Sequence, residues 1–240
     1  MSTRADGRRP DQAREVDIEI GVAPYAEGSC LISTGNTQVL CAASVAEGVP
    51  RWREESGAGW VTAEYGMLPR ATHTRTSRER SGPRGRTQEI QRLIGRSIRS
   101  VTDMEVMGQH TVTVDCDVLQ ADGGTRTAAI TGAFVAVRLA AHWMVENGLA
   151  EHDPLKEAVA GISVGIVEGL LCLDLDYRED SAAQVDMNVI GTQSGGLVEV
   201  QGTAEGDPFA RADFDSLLDL AVAGLEALFA AQQRVLPGSK

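Results

Sequence analysis

A long, almost entirely apolar helix is the feature that most restricts how this chain can fold. Residues 127–147 carry almost no charged side chains and are followed by Gly148, a residue type that often terminates helices. Because nearly every face of such a helix is apolar, other elements must cover it on several sides. The sequence therefore predicts that this helix lies deep in the core of a layered domain.

Alternating and periodic apolar patterns predict the remaining elements. Strands are predicted at residues 16–20, 29–33, 37–43, 60–65, 110–119, 158–167, 170–176, 184–190 and 197–202. Further helices are predicted at residues 87–101 and 213–233. The order of these elements, with no Pro- or Ser-rich linker, indicates an α+β fold in which mixed sheets pack with helices in a single domain, residues 1–240.

The two amphipathic helices each have a predicted core face. In the helix at 87–101 this face is formed by Ile90, Leu93, Ile94 and Ile98, whereas Arg92, Arg96 and Arg99 lie largely opposite. In the terminal helix the core face is formed by Leu217, Leu218, Val222, Leu225 and Phe229. Thr87 is predicted to be the N-cap of the first of these helices.

The composition indicates which compartment and which kinds of site to expect. The chain has 240 residues, 42% of them hydrophobic, but no run of about eighteen apolar residues, so no membrane span is predicted. The polar residues 1–14 contain no apolar signal segment. The four cysteines form no C-x-x-C pair and the four histidines are scattered, which argues against a zinc site. We therefore expect buried thiols in a protein of the reducing cytoplasm.

Charge is distributed very unevenly along the chain. The net charge of −12 disfavours a protein that is uniformly coated for nucleic acid. Residues 70–99 nevertheless contain nine arginines and two glutamates, a local net charge of +7, whereas residues 100–240 have a net charge of −15. Within this region residues 68–86, the basic loop, lack hydrophobic periodicity and are predicted to be exposed. This loop can guide a polyanion, contact an acidic neighbouring subunit, or simply be solvated.

Two segments that contain arginine at a helix start suit an anion. Residues 122–126 (Asp-Gly-Gly-Thr-Arg) lie between a predicted strand and the long helix, where glycines allow close approach and the helix start supplies free amides. Thr125 and Arg126 can complete this cradle, and Arg86 lies at the start of the other helix, so two arginines can hold one phosphate. The alternative is an ordinary strand-to-helix turn with Thr125 as N-cap and a solvated Arg86.

Asp180 and Asp186 are candidate ligands for a hard metal ion. On one straight strand these residues would be about 20 Å apart, so a shared ion requires a bend between them. Residues 179–181 have turn composition, which permits that bend. The alternative is a solvated acidic turn followed by one polar strand residue.

Several segments, in order along nearly the whole chain, resemble the ribonuclease PH family. They are residues 4–8, 35–39, 85–97, 122–126, 174–181 and 185–188. The length of the chain is similar to that of the bacterial single-domain members, which implies the ribonuclease PH fold. The resemblance further implies a phosphate-dependent 3′-to-5′ exoribonuclease that trims precursor tRNA and other RNA 3′ ends, releases nucleoside diphosphates and adds nucleotides in the reverse reaction. The implied cofactor is Mg²⁺, the co-substrate is inorganic phosphate, and the implied assembly is a homohexamer, a trimer of dimers.

The resemblance also implies a role for particular residues. Phosphate binding is expected of Arg86, Gly124, Thr125 and Arg126. Catalysis and metal binding are expected of Asp180 and Asp186. From the chemistry we assign Asp180 as the proton donor to the leaving 3′ oxygen and Asp186 mainly as a metal ligand, a division of roles that the sequence does not settle. RNA binding is expected of Arg70, Arg75, Arg78, Arg80, Arg92 and Arg96, some of which can contact neighbouring subunits instead.

Two other functions are compatible with parts of this pattern. The first is a catalytically silent RNA-binding ring subunit of the same fold, but the presence of Asp180, Asp186 and Arg126 argues against it. The second, if the resemblance is set aside, is a metal-dependent phosphatase. A requirement for inorganic phosphate distinguishes phosphorolysis from hydrolysis.

Overall fold

The first sheet is built around a parallel pair of strands joined by a helix. In the computed structural model, which describes residues 4–79 and 81–236, β4 (Trp60–Met67) is parallel to β5 (His110–Gln120) and α1 (Gly85–Ser100) connects them. Parallel strands require such a crossover. The remaining strands of this sheet are β1 (Val16–Ile20), β2 (Gly28–Thr34) and β3 (Thr37–Glu47), and a short 3-10 helix (Arg51–Ser56) precedes β4. The strand order is β1-β2-β3-β5-β4.

The second sheet is antiparallel and comes from the second half of the chain. Its strands are β6 (Val159–Val167), β7 (Leu170–Leu173), β8 (Val185–Thr192) and β9 (Leu197–Ala204), in the order β7-β6-β8-β9. A six-residue helix, α3 (Tyr177–Ala182), lies between β7 and β8 in the chain. The C-terminal helix α4 (Arg211–Val235) packs on β6, β7 and β8.

The apolar helix α2 (Thr125–Glu146) lies between the two sheets, as its composition predicts. It contacts β2 and β3 of the first sheet and β6 of the second, and one hydrophobic cluster includes residues of both sheets. Among the described residues it is also the single helix long and apolar enough to cross a membrane, yet 72% of its apolar window is buried inside the protein. Such a buried helix is typical of a protein core.

The predicted α+β class with mixed sheets is therefore confirmed, and so are several finer predictions. Ile90, Leu93, Ile94 and Ile98 are all buried on α1. All four cysteines (Cys30, Cys41, Cys116 and Cys172) are buried and free. In the basic loop, residues 68–79 and 81–84 form no helix or strand.

Four local predictions are wrong. The strand predicted at residues 170–176 ends at Leu173, and the predicted turn at 179–181 is part of α3. Thr87 is not an N-cap, because α1 already begins at Gly85 with Arg84 as its N-cap. Val222 on α4 is 42% exposed, because the buried stripe of that helix runs through Leu217, Ala221 and Leu225 instead.

Candidate active site

A cleft of 440 Å³ brings together the site residues that the sequence singled out. Its lining includes Arg86, Gly124, Thr125, Arg126, Asp180 and Asp186. These residues belong to α1, to the start of α2, to α3 and to β8, so both halves of the chain contribute. The predicted convergence of two arginines, a glycine turn and two carboxylates is therefore present in the fold.

The glycine turn before α2 leaves the start of that helix open towards the cleft. Gly123 and Gly124 have φ angles of 76° and 66°, in the left-handed region that glycine tolerates best. Gly124 is the N-cap, and no side chain in the described part of the chain caps the first amides of α2. These amides and the positive end of the helix dipole favour an anion at this position.

Thr125 is oriented by a residue that the sequence did not single out. Tyr65, a buried residue of β4, donates a hydrogen bond from its hydroxyl group to Thr125 Oγ1 at 2.9 Å. Because Thr125 accepts this bond, its own hydroxyl proton is free to be donated to an anion in the cleft. Burial raises the pKa of Tyr65, which keeps its phenol protonated as the donor. The predicted strand at 60–65 contained Tyr65, but a strand pattern does not reveal such a partner.

The two arginines of the cleft are held differently. Arg126 Nη1 donates to Glu89 Oε1 at 3.2 Å and to Gln201 Oε1 at 2.8 Å, so α1 and β9 fix its position. Arg86 is exposed, and within residues 4–79 and 81–236 it forms no ion pair. A bound phosphate can therefore meet one rigid and one adaptable guanidinium group.

The two carboxylates reach the cleft from different elements. Asp180 lies on α3 and Asp186 on β8, so the chain bends between them, as a shared site requires. Partial loss of hydration and the nearby Asp186 carboxylate raise the pKa of Asp180, although Arg86 and Arg126 act in the opposite direction. Asp180 is nonetheless solvent-exposed, so its desolvation is incomplete. A raised pKa suits a carboxyl group that acts as a proton donor near neutral pH.

The acidic segment before α3 contains a capping arrangement that organises it. The backbone amides of Arg178 and Glu179 donate to Asp176 Oδ1, and the Asp176 amide donates to Glu179 Oε2. The Asp-x-x-Glu spacing of such a capping box was visible in the sequence. Glu179 is buried and does not line the cleft; its carboxylate accepts a hydrogen bond from Arg4 instead. Only Asp180 of this segment therefore offers a carboxylate to the cleft.

The donors in the cleft fit magnesium better than a metal that needs a complete protein cage. Among the described residues there is no group of three or more His, Cys, Asp or Glu side chains that could hold a metal. The repulsion between Asp180 and Asp186 is the feature that a divalent cation relieves. Magnesium commonly binds through one or two carboxylates plus water and substrate phosphates.

The described residues among those predicted to bind RNA are not part of the lining of the cleft. Arg70, Arg75 and Arg78 of the basic loop and Arg92 of α1 are exposed, and Arg96 forms an ion pair with Glu199. Arg80 lies outside the described residues. The basic loop reaches the cleft through Thr72, His73 and Thr74 and, at its C-terminal end, through Arg86, whereas Arg70, Arg75 and Arg78 are not part of the lining.

Comparison with known proteins places this cleft in a family. Residues 12–141 match the model for domain 1 of the 3′ exoribonuclease family, and residues 157–224 match the model for domain 2. The chain belongs to the 3′ exoribonuclease family. The cleft contains residues from both matched regions: Thr125 and Arg126 from the first, and Asp180 and Asp186 from the second.

Individual members of this 3′ exoribonuclease family are similar over nearly the whole chain. The chain is 56% identical to the ribonuclease PH of Nocardia farcinica over 239 residues, which is 98% of this chain and 93% of the relative. It is 55% identical to that of Caulobacter vibrioides, with 98% and 100% covered. The resemblance to ribonuclease PH is thereby confirmed.

Solved structures share the fold at much lower identity. The crystal structure of rice Rrp46 has a TM-score of 0.79 at 20% identity and covers 96% of this chain and 98% of its own. The Archaeoglobus fulgidus exosome with RNA bound to the active site has a TM-score of 0.80 at 24% identity, with 94% and 91% covered. At this identity the similarity supports the ribonuclease PH fold alone.

Proposed function

We propose that this protein is a phosphorolytic 3′-to-5′ exoribonuclease, a tRNA nucleotidyltransferase that also adds nucleotides in the reverse reaction. The observation that carries the proposal is the single cleft in which an open helix start, two arginines and two carboxylates meet. The ribonuclease PH relatives, at 55–56% identity over nearly the whole chain, support the same activity.

The anion-binding half of the cleft suits the nucleophile. Arg86, Arg126 and the first amides of α2 surround a position where inorganic phosphate can be held, and Thr125 adds a hydroxyl donor. Two phosphate groups repel each other, so positive groups must offset that repulsion before one can attack the other. An oxygen of the bound phosphate attacks the last phosphorus of the RNA, and the bond from that phosphorus to the preceding 3′ oxygen breaks. The product is a nucleoside diphosphate and an RNA shortened by one nucleotide.

The carboxylate half suits the leaving group. The departing 3′ oxygen needs a proton, and the raised pKa of Asp180 makes this residue the better donor of the pair. Asp180 and Asp186 are the residues that would hold Mg²⁺, which when bound supplies positive charge at the leaving end. Asp186, on the rigid strand β8, serves mainly as the ligand in this assignment.

Substrate, assembly and location belong to the same proposal. We infer that the substrates are precursor tRNA and other RNA 3′ ends in the cytoplasm and that the chain works as a homohexamer, a trimer of dimers. An exposed basic loop on an acidic body supports both RNA capture and contacts between copies. We further infer that residues 1–240 act as a single domain, because both matched regions contribute to the cleft and to one hydrophobic core.

The decisive experiment incubates a labelled single-stranded RNA with the protein and Mg²⁺, with and without inorganic phosphate. The proposal predicts nucleoside diphosphates in the presence of phosphate and no shortening in its absence. Nucleoside monophosphates without added phosphate would indicate a hydrolase instead. Binding without any shortening would indicate the catalytically silent RNA-binding subunit.

A further inference from the structure

The N-terminal segment of the chain is bound to the segment that leads into α3. Arg4 and Arg8 are only 7% and 9% exposed, which is unusual for arginine. Arg4 Nε donates to Glu179 Oε1 at 2.6 Å, and Arg4 Nη1 donates to the Leu173 carbonyl oxygen at 2.6 Å. Arg8 Nη2 lies 3.4 Å from Glu179 Oε2. Buried charges of this kind persist only when they are paired, so these contacts fix the segment between β7 and α3.

Arg14 connects that segment with the glycine turn of the cleft. Its Nε and Nη2 atoms donate to the two carboxylate oxygens of Asp174, at 2.9 and 2.6 Å. Its Nη1 atom donates to the carbonyl oxygen of Asp122 at 2.5 Å. One planar guanidinium group thus joins the residues that precede α2 to the residues that precede α3.

The backbone at Asp174 shows that this junction is held under strain. Asp174 has a φ of 55°, a left-handed conformation that costs a non-glycine residue free energy. Its amide donates to the Ser163 carbonyl oxygen at 2.7 Å, and its own carbonyl oxygen accepts from Arg4 Nη2 at 2.8 Å. Such conformations persist where the surrounding contacts determine them, and they concentrate near functional sites.

We propose that Arg14 is a positioning residue, which sets the place of the phosphate-binding turn relative to the helix that carries Asp180. The inference rests on the proposed phosphorolysis. Arg14 does not line the cleft, so its effect passes through Asp122 and Asp174 rather than through contact with the substrate. The attacking phosphate and the proton donor must be placed together, and a misplacement of about 1 Å can lower a rate about a hundredfold.

The test compares Arg14→Lys and Arg14→Ala with Arg9→Ala as the matched control. Arg9 lies in the same segment, but its side chain is 64% exposed, and within residues 4–79 and 81–236 it forms an ion pair with Asp11 alone. At saturating RNA and phosphate we expect both Arg14 variants to lose at least about tenfold in turnover per folded molecule. The RNA Kd, measured without phosphate so that the RNA is not consumed, is expected to stay within about twofold of the parent value because no phosphate contact is removed. The control is expected to change neither quantity.

Arg14→Lys is the deciding variant. It keeps the positive charge opposite Asp174, so its fold is disturbed less than that of Arg14→Ala. Lysine is a point charge and cannot join two carboxylate oxygens and a carbonyl oxygen as the guanidinium fork does. Parental turnover in folded Arg14→Lys would overturn the inference, and so would a weakened RNA Kd with unchanged turnover.

Hydrogen exchange separates this inference from the proposed function. In Arg14→Lys we expect faster amide exchange than in the parent in both segments, residues 122–126 and residues 176–181. Unchanged exchange in both segments would overturn the positioning role even if turnover falls. If the parent and Arg9→Ala release no nucleoside diphosphate, the proposed function fails, whereas the exchange result still decides whether Arg14 couples the two segments.

Discussion

Gly123 lies so close to Leu175 that a β-carbon added to the glycine would be 2.5 Å from the Leu175 carbonyl oxygen. The turn before α2 and the segment before α3 therefore pack backbone against backbone. This contact is what allows the glycine turn before α2 and the helix that carries Asp180 to share one cleft.

Gly123→Ala is expected to damage both stability and activity. The φ of 76° disfavours a β-carbon by about 1–2 kcal/mol on its own, and the contact with the Leu175 carbonyl adds a steric cost. The displaced turn would also move the phosphate away from Asp180. Chemical denaturation should show a loss of more than about 2 kcal/mol in unfolding free energy, together with reduced turnover at saturating substrates.

Gly169→Ala is the matched control for this substitution. Gly169 has the same φ of 76°, but a β-carbon there would meet nothing within 4 Å. We expect only the cost of the left-handed conformation and parental turnover. Equal losses for the two variants would show that the contact between Gly123 and Leu175 has no special role.

Arg86→Ala and Arg126→Ala are expected to weaken phosphate use more than RNA binding. Each substitution removes a charged hydrogen-bond donor to a small anion. Because such a hydrogen bond is worth roughly 1.5–3 kcal/mol, the phosphate KM should rise by about tenfold or more. The RNA Kd should change less, since RNA has other contacts. Arg211→Ala, which removes an exposed arginine of α4, serves as control. An unchanged phosphate KM in both cleft variants would refute this part of the site.

The sequence predicted which motifs meet, but not how they are held together. Residues 122–126, Asp180 and Asp186 could be recognised because each motif is local. The partners that position them are distant along the chain: Arg4 and Glu179 are separated by 175 residues, and Tyr65 and Thr125 by 60. Local periodicity contains no information about such pairs, so neither was predicted.

Short or irregular elements were the second source of error. Helix α3 has six residues, too few to show a helical period, and only its capping box distinguishes it from a turn. On α4 the expected stripe passed through Val222 because large apolar residues were favoured over the small Ala221, which is the residue actually buried. Long elements such as α2 were predicted nearly to the residue because their pattern repeats many times.

Asp180→Asn and Asp186→Asn are expected to lower turnover by roughly a hundredfold or more while the fold survives. Both substitutions retain size and polarity but remove the charge and, for Asp180, the proton donor. Steady-state rates at saturating Mg²⁺ measure the loss, and circular dichroism verifies the fold. Near-parental turnover in either variant would mean that the corresponding carboxylate is only a solvated residue at the edge of the cleft.

The raised pKa of Asp180 also predicts a pH-dependent effect on stability. A carboxyl group with a higher pKa in the folded state binds more protons there, so it destabilises the fold once the pH rises above its unfolded pKa of about 3.9. Without Mg²⁺ or phosphate, Asp180→Asn should therefore be more stable than the parent at pH 7. This advantage should shrink as the pH falls towards about 4. Thermal melts at several pH values check this. If Asp180→Asn were less stable than the parent at pH 7, the pKa of Asp180 would not be raised as assigned.

Replacing Arg70, Arg75 and Arg78 of the basic loop by alanine should separate RNA capture from assembly. All three are exposed and lie outside the lining of the cleft, so they are free to contact RNA or a neighbouring copy.

An arginine that binds an RNA phosphate should, when replaced, reduce the salt slope of RNA binding by about 0.7. An arginine that binds a neighbouring subunit should instead, when replaced, shift sedimentation from the proposed hexamer towards dimers. Phosphorolysis of a very short RNA should suffer less than trimming of a precursor tRNA, because the cleft residues are intact. Variants that stay hexameric, keep the parental salt slope and trim precursor tRNA normally would show that the loop is simply solvated.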